Sequence, residues 1–343
     1  AAFGAGNRIM IKPSDQTPNA SAAIAAAVTE YFDETELAAF AGGVDLAVAF
    51  PKLPFDHLMF TGSPALAKII AAEAAKNLTP VTLELGGKSP VIVGRTADIE
   101  AAARRILWGK ILNGGQACLA PDYGFLPAGT ESSFVEAAER VVSDMFPTMV
   151  DNDEYVSFVS DRHYERVRGY LEDARDKGAQ VVEINPAGED FPATARKLPV
   201  TLVLGVTDEM TIAHEEIFGP VFVVRSYERV TEAIDYVNAR PKPLALYYFG
   251  DRDAEWRTIL EFTSSGGIVL NDVIAHIMQH DLPFGGVGNS GTGRYHAIEG
   301  FRRFSNPKAV YTQSRLGAKA LRLALNFPMT TLHSKVLKTK LRK

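Results

Sequence analysis

The chain has 343 residues, 46% of them hydrophobic and 22% charged, with 36 Lys and Arg against 41 Asp and Glu for a formal net charge of −5. That length exceeds one ordinary core and implies about two domains, while no run approaches the roughly 18 uninterrupted apolar residues of a membrane-spanning helix and the opening residues lack the basic and apolar segments of a secretory signal. A single cysteine, Cys118, excludes an intramolecular disulfide and fits a reducing compartment, so a cytoplasmic protein is expected.

The charge is unevenly placed. None of the 41 acidic residues follows Glu299, whereas eleven of the 36 basic ones do, which leaves 25 basic against 41 acidic residues in the body. An acidic body argues against a nucleic-acid enzyme, whose working surface is cationic. The basic tail, 315–343, reads as a solvated segment, with weak contact to a membrane surface as its further reading.

In chain order, Arg8-Ile9-Met10-Ile11 reads as a short strand closed by Lys12-Pro13-Ser14-Asp15. Pro18 sits where a first helical turn begins, and Ala-rich residues 20–32 continue it. The runs Asp45–Phe50 and His57–Phe60 read as strands. Strand and helix in alternation imply a parallel sheet with helices on its faces. No Gly-x-Gly-x-x-Gly fingerprint occurs in this part. Thr61-Gly62-Ser63-Pro64 offers another route to a phosphate: Ser63 can cap a helix that starts at Pro64, and that helix N-terminus would point out from the strand end. Read alone, it is a capped helix. Val81-Thr82-Leu83 reads as a strand that delivers Glu84 to the turn Gly86-Gly87. A strand at 90–93 follows, then a helix opened by Asp98 and ending at Asn113, and a strand at 122–127. Helices are expected near 131–144, 161–177, 229–239 and 252–262. Strands are expected at 179–184, 200–206, 221–224, 244–249 and 267–270. The expected domains are 1–84, 85–292, a return segment with an oligomerisation strand at 293–314, and the tail.

The chemistry concentrates in Asn113-Gly114-Gly115-Gln116-Ala117-Cys118. A lone cysteine is most often a small buried hydrophobe, but here two glycines and an amide let backbone N–H groups approach a reacting atom. A cysteine thiolate and the carboxylate of Glu84, each on a glycine-flanked turn, suit covalent acyl chemistry with a general base. Glu215-Glu216 reads by itself as a solvated acidic pair. His276 and His280 have helical i,i+4 spacing but no third ligand, and no metal is expected.

The Glu84 and Cys118 stretches resemble the signature segments of the aldehyde dehydrogenase superfamily. Ile11-Lys12-Pro13-Ser14-Asp15, Phe60-Thr61-Gly62-Ser63, Glu215-Glu216-Ile217-Phe218-Gly219-Pro220 and Leu282-Pro283-Phe284-Gly285-Gly286 agree in order, over roughly residues 1 to 313. Cys118-Leu119-Ala120-Pro121-Asp122-Tyr123 and the run from Phe284 to Gly291 resemble the branch with class 3 and coniferyl aldehyde dehydrogenases. The resemblance implies an α/β fold, with an incomplete Rossmann-like parallel-sheet cofactor domain and an α/β catalytic domain. It implies oxidation of an aldehyde with NAD or NADP, with Cys118 as nucleophile and Glu84 as base. Lys12 and Asp15 would face the adenosine ribose, Gly62 and Ser63 the pyrophosphate, and Glu216 and Phe218 the nicotinamide ribose and ring, with Leu85 in the same cofactor set. Asp15 stands where the family more usually has Glu, which leaves NAD against NADP open. Aromatic (coniferaldehyde-like) or medium-chain substrates are implied, lined by Tyr123, Phe284 and residues 273–280, in a homo-oligomer (dimer or tetramer). Against the family, the chain opens inside the cofactor domain, so an N-terminally truncated member is expected, without the oxyanion asparagine. Two rival readings are a cofactor-independent thioester hydrolase and an inactive binding or structural homologue.

Overall fold

A computed structural model describes residues 1–313 and 331–340. By their contacts, residues 1–305 form one compact unit and 306–343 a second. In the second, a helix spans Thr331–Lys340; the rest of the expected tail, 315–343, lies outside the described residues. No described helix is long and apolar enough to cross a membrane.

The first unit is built on a seven-stranded sheet. Its strands are β5 (Ser89–Val93), β6 (Pro121–Pro127), β7 (Gln180–Ile184), β8 (Val200–Leu204), β9 (Val221–Tyr227), β10 (Ala245–Phe249) and β11 (Gly267–Leu270). Their spatial order is β11-β10-β5-β6-β9-β8-β7, and every pairing is parallel except β7 with β8. Strand side chains alternate between faces, and here both faces are covered. Val91, Val93, Tyr247, Phe249, Phe222 and Val224 pack with α4 (Ile99–Ile111) and α5 (Glu131–Met145). Ile92, Leu246, Tyr248, Val221 and Val223 pack with α6 (Asp161–Asp176), α7 (Val230–Asn238) and α8 (Ala254–Phe262). A central parallel strand buried on both sides needs a continuous apolar run, which is what Pro90-Val91-Ile92-Val93 supplies.

The first eighty residues form smaller pieces. β1 (Ile9–Ile11) pairs in parallel with β2 (Leu37–Ala39), joined by α1 (Pro18–Tyr31) with Pro18 at its first turn. β3 (Leu58–Gly62) pairs in parallel with β4 (Val81–Leu85), and β12 (Gly291–Thr292) adds antiparallel on the other side of β4. Between β3 and β4 runs α3 (Pro64–Ala75), whose N-cap Ser63 accepts a hydrogen bond from the Leu66 amide at 3.4 Å. α9 (Ala297–Arg303) follows β12.

One expected strand is corrected. Residues 44–49 form a helix, α2 (Val44–Ala49), running into a single 3-10 turn at Phe50–Lys52. A short apolar run fits either period. Asp45 in the first turn and two alanines favour helix there. The strand that pairs with β1 comes earlier instead, at Leu37–Ala39.

Candidate active site

Three loops meet because β5, β6 and β9 are neighbours. Leu85 to Lys88 leads into β5, Gln116 to Ala120 into β6, and Glu216 to Pro220 into β9. Parallel sheets usually hold ligands beyond the carboxyl ends of their strands; here the candidate residues gather at the opposite edge of the large sheet.

The cysteine loop is held by close approaches. α4 ends at Ile111, and Asn113, Gly114 and Gly115 then take positive φ of 54°, 63° and 75°. A Cβ on Gly115 would lie 2.2 Å from the Gly219 carbonyl oxygen, and one on Gly114 would lie 2.9 Å from that of Val156. Gln116 locks the loop outward: its Nε2 donates to the Ser157 carbonyl at 3.1 Å and its Oε1 accepts from the Val159 amide at 2.9 Å. Behind the cysteine, the buried Tyr247 hydroxyl donates to the Leu119 carbonyl at 2.6 Å. Asn113 is used within the loop, its Nδ2 donating to the Gln116 carbonyl at 3.0 Å.

Burial pushes the Cys118 thiol up to about 11, and the charges of Glu216 and Glu84 add to this; the backbone amides of Cys118 and Leu119 oppose it. Those two amides therefore face the sulfur, where an oxyanion formed on an attacked carbonyl would also be felt.

Glu84 sits in the middle of the three-stranded sheet, opposite Thr61 on β3 and Gly291 on β12. It is 4% exposed and neither carboxylate oxygen has a well-formed hydrogen bond. Burial raises it to about 7, with Arg294 and the Gly286 amide pulling the other way. A carboxyl group that titrates near neutrality, beside a thiol and with free lone pairs, is equipped to accept a proton. Tyr295 belongs to the same group, since burial and the charges of Glu84 and Cys118 push it up to about 12.

Glu216 is not a solvated residue. Its carboxylate lies over Gly86, where a Cβ would come within 2.3 Å of Oε1. Burial raises it to about 7, helped by Asp122 and opposed by the Gly87 amide, Lys110 and Lys88. Its loop is gripped from behind. Lys88 Nζ pairs with Asp122 and donates to the carbonyls of Ile212 and Glu215, both at 2.9 Å. Asp122 Oδ2 accepts from the Ile217 amide at 2.9 Å, and Arg166 donates to the carbonyls of Glu216 and Ile217, both at 2.9 Å. With its loop so held, Phe218 takes a positive φ of 52°.

Of the other residues singled out, Gly62 pairs with Leu85 in the β3–β4 register, so the N-terminus of α3 at Ser63 opens beside the strand that carries Glu84. Lys12 Nζ donates to the Pro13 carbonyl at 2.8 Å, and exposed Asp15 accepts from Gln16. Both stand on the connection between β1 and α1, and no direct contact joins them to the Cys118 group. Tyr123 does not line the site. β6 turns it into the core, edge-on to Phe125 and Tyr236. Phe284 is buried among His276, Tyr295 and His296. Residues the sequence did not single out are Lys88, Arg166 and Arg294, and Asp122 as an anchor of the Glu216 loop; only Asp122, inside a quoted motif, and Lys88, just after the Glu84 turn, carried any signal. Among the described residues no group of three or more His, Cys, Asp or Glu is placed to hold a metal ion.

The donor set suits a dinucleotide. A 12-residue helix opens at a strand end through Gly62-Ser63, the arrangement that receives phosphate oxygens, and a carboxylate suited to ribose hydroxyls lies over Gly86 on the same stretch of chain.

The aldehyde dehydrogenase family model matches residues 1–310, and the chain belongs to that family. It is 54% identical over 312 residues to a probable coniferyl aldehyde dehydrogenase of Caulobacter vibrioides, covering 91% of this chain and 64% of that protein. Among solved structures, an AldH of Staphylococcus aureus in a substrate-bound state superposes with a TM-score of 0.84 at 36% identity, over 90% of this chain and 67% of that one. A Mycobacterium tuberculosis aldehyde dehydrogenase complexed with NAD+ gives 0.76 at 29% identity, over 87% and 62%. The chain thus spans about two thirds of the length of the curated relatives it matches.

Proposed function

We propose that this protein oxidises an aldehyde to a carboxylic acid with NAD or NADP as hydride acceptor. The observation that carries the reading is the pairing of Cys118 with Glu84, a thiol fixed on a glycine loop and a buried carboxyl with no hydrogen-bond partner. Cys118 gives its proton to solvent water as its sulfur bonds to the carbonyl carbon, giving a thiohemiacetal whose oxyanion faces the Cys118 and Leu119 amides. When bound, NAD or NADP supplies the two-electron acceptor that turns this adduct into a thioester. Glu84 then takes a proton from water, the hydroxide adds to the thioester, and the carbon–sulfur bond breaks to release the acid and restore Cys118. Ser63 and the α3 N-terminus would hold the pyrophosphate, Gly62 and Leu85 the adjoining wall, Glu216 and Phe218 the nicotinamide ribose and ring, and Lys12 and Asp15 the adenosine ribose. Residues 1–84 would supply most of the cofactor half and 85–292 the catalytic half.

An aromatic, coniferaldehyde-like substrate is favoured by the Caulobacter relative and by Tyr295 near Glu84 and Cys118, with the rings of Phe284 and His296 packed against it. The test is reduced-cofactor formation on adding aldehyde. Cys118→Ala should abolish it, and Glu84→Gln should keep a first turnover of about one per site followed by slow release, as expected for a base used only in the second half. Turnover by Cys118→Ala at the parent rate would end this reading. Ester cleavage that needs no cofactor, without aldehyde oxidation, would favour a thioester hydrolase.

A further inference from the structure

We propose that Arg294 is a positioning residue that keeps Glu84 available as an ionised base while leaving both its oxygens free for water. The proposal rests on the reading of Glu84 as the base for thioester hydrolysis.

A buried carboxyl group faces a conflict. Without donors or a counter-charge it holds its proton, and a protonated carboxyl cannot accept another from water. With an arginine bonded directly to it, it ionises readily, but the guanidinium fork occupies the lone pairs that water needs. Glu84 meets neither extreme. It lies between Thr61 and Gly291 on the central strand of its sheet, and no well-formed hydrogen bond reaches either oxygen, although the Gly286 amide acts on the carboxylate.

Two groups oppose burial at Glu84: the Arg294 guanidinium, from the segment after β12, and the Gly286 amide. Cys118 and Tyr295 feel the charge of Glu84 in turn but, pushed up to about 11 and about 12, are themselves neutral where Glu84 titrates. Among the described residues that act on Glu84, Arg294 is the one cation.

The position of that cation is fixed by something other than Glu84. Arg294 Nη1 donates to the Gly286 carbonyl at 2.5 Å and to the Gly293 carbonyl at 3.2 Å. Both groups converge on Gly285, where a Cβ would stand 2.9 Å from Glu84 Oε1 and 3.2 Å from Arg294 Nη1. The two atoms are therefore no more than about 6 Å apart, yet they form no ion pair within 4.0 Å. A glycine at 285, with φ of 155°, leaves this gap open. At such a range an opposite charge still lowers a carboxyl group by about 1 to 3 pH units.

The experiment compares the parent with Arg294→Gln, which keeps hydrogen-bond donors for the two carbonyls but removes the charge, and with Arg294→Lys, which keeps the charge. Two readouts are taken. The first is the pH dependence of steady-state aldehyde oxidation together with the first-turnover burst. Arg294→Gln should move the acid limb of kcat upward by about 1 to 3 pH units, with the burst and the KM for cofactor near parental values, and Arg294→Lys should restore the limb. The second needs no turnover: the pH dependence of Cys118 alkylation by iodoacetamide, in which ionisation of Glu84 appears as an inflection because its charge acts on the thiol. That inflection should rise in Arg294→Gln and return in Arg294→Lys. An unshifted inflection and acid limb in folded Arg294→Gln would overturn the proposal, as would an Arg294→Lys protein that resembles Arg294→Gln in both. If Arg294→Gln does not fold, Arg294→Lys decides alone, since an inflection displaced by more than a unit despite the retained charge overturns it and a parental one supports it. A shifted inflection in a protein without aldehyde oxidation would mean that the role assigned to Glu84 has failed while its coupling to Arg294 stands.

Discussion

Lys110 is a buried cation behind the cysteine loop. It stands in the last turn of α4, its side chain is 0% exposed, and its amine has no hydrogen-bond partner. Burial drives it down to about 8; Asp122 and Glu216 pull it back and Lys88 pushes it further. Replacing it with methionine, unbranched and one atom shorter, keeps most of the side chain and removes the charge. The unfolded chain holds its proton up to about 10.5 and the native one only to about 8, so between those values the unfolded state binds more protons and the parent gains stability as pH rises. Below that window the full cost is present, about 3 kcal/mol at pH 7, and it falls to about 1 kcal/mol near pH 9.5. Loss of the cation also pushes Glu216 up, but a neutral carboxyl group is tolerated where a charged one is not, and Asp122 keeps Lys88. Lys110→Met should therefore be more stable than the parent at pH 7, as buried charges replaced by apolar groups of similar volume often are. Urea unfolding of both proteins at pH 7 and pH 9.5 checks this, because the difference between them cancels the titrating groups that the substitution leaves unchanged; the rise of Glu216 alone works against the expected trend. A gap that stays constant with pH, or a parent that is the more stable at pH 7, would refute the reasoning.

Two further substitutions test how the loops are held. Gly115→Ala combines a positive φ with a Cβ placed 2.2 Å from the Gly219 carbonyl oxygen, so it should cost about 3 kcal/mol or more in urea unfolding and slow selective labelling of Cys118. Asp122→Ala strands the largely buried Lys88 cation and the Ile217 amide, a loss of about 3 to 5 kcal/mol; Asp122→Asn, which still accepts from that amide, should lose less by the same measurement.

The large sheet was legible because each strand is a short apolar run bounded by turn residues, and burial on both faces needs such runs. Ser63 and Asp98 were legible as caps because capping is a local bond, from Leu66 in one case and from Glu100 and Ala101 in the other. The run Asp45–Phe50 was misread because six residues do not separate the helical period from the strand period. Tyr123 was misread for a related reason: it follows the cysteine loop closely, but the period-2 alternation of β6 faces it away from the site. What could not be read were bonds between distant residues. Lys88 reaches carbonyls at 212 and 215, and Asp122 reaches the amide of 217. Nothing local to Lys88 or Arg294 marks them apart from surface cations. Glu216 looked like half of a solvated pair because its neighbour Glu215 is one; only the fold brings Gly86 beneath it.

That contact allows the role of Glu216 to be separated from the stability of its loop. Gly86 has no positive φ, so alanine is acceptable to the backbone, but its Cβ would come within 2.3 and 2.4 Å of the two Glu216 carboxylate oxygens. The carboxylate is the free end of a side chain and can move, whereas the backbone of residues 212–217 is held by Lys88, Asp122 and Arg166. Gly86→Ala should therefore displace Glu216 with little change in the urea midpoint. Two effects should follow from the displacement. Glu216 is the foremost charge holding the Cys118 thiol up, so the alkylation inflection of the thiol should fall. If Glu216 also bonds the ribose of the bound dinucleotide, cofactor affinity should weaken about tenfold or more, the loss expected for one hydrogen bond to a charged group. Isothermal titration with NAD and with NADP measures the second effect independently of turnover. A lowered thiol inflection with unchanged affinity would remove Glu216 from the cofactor site and leave it only a charge that tunes Cys118.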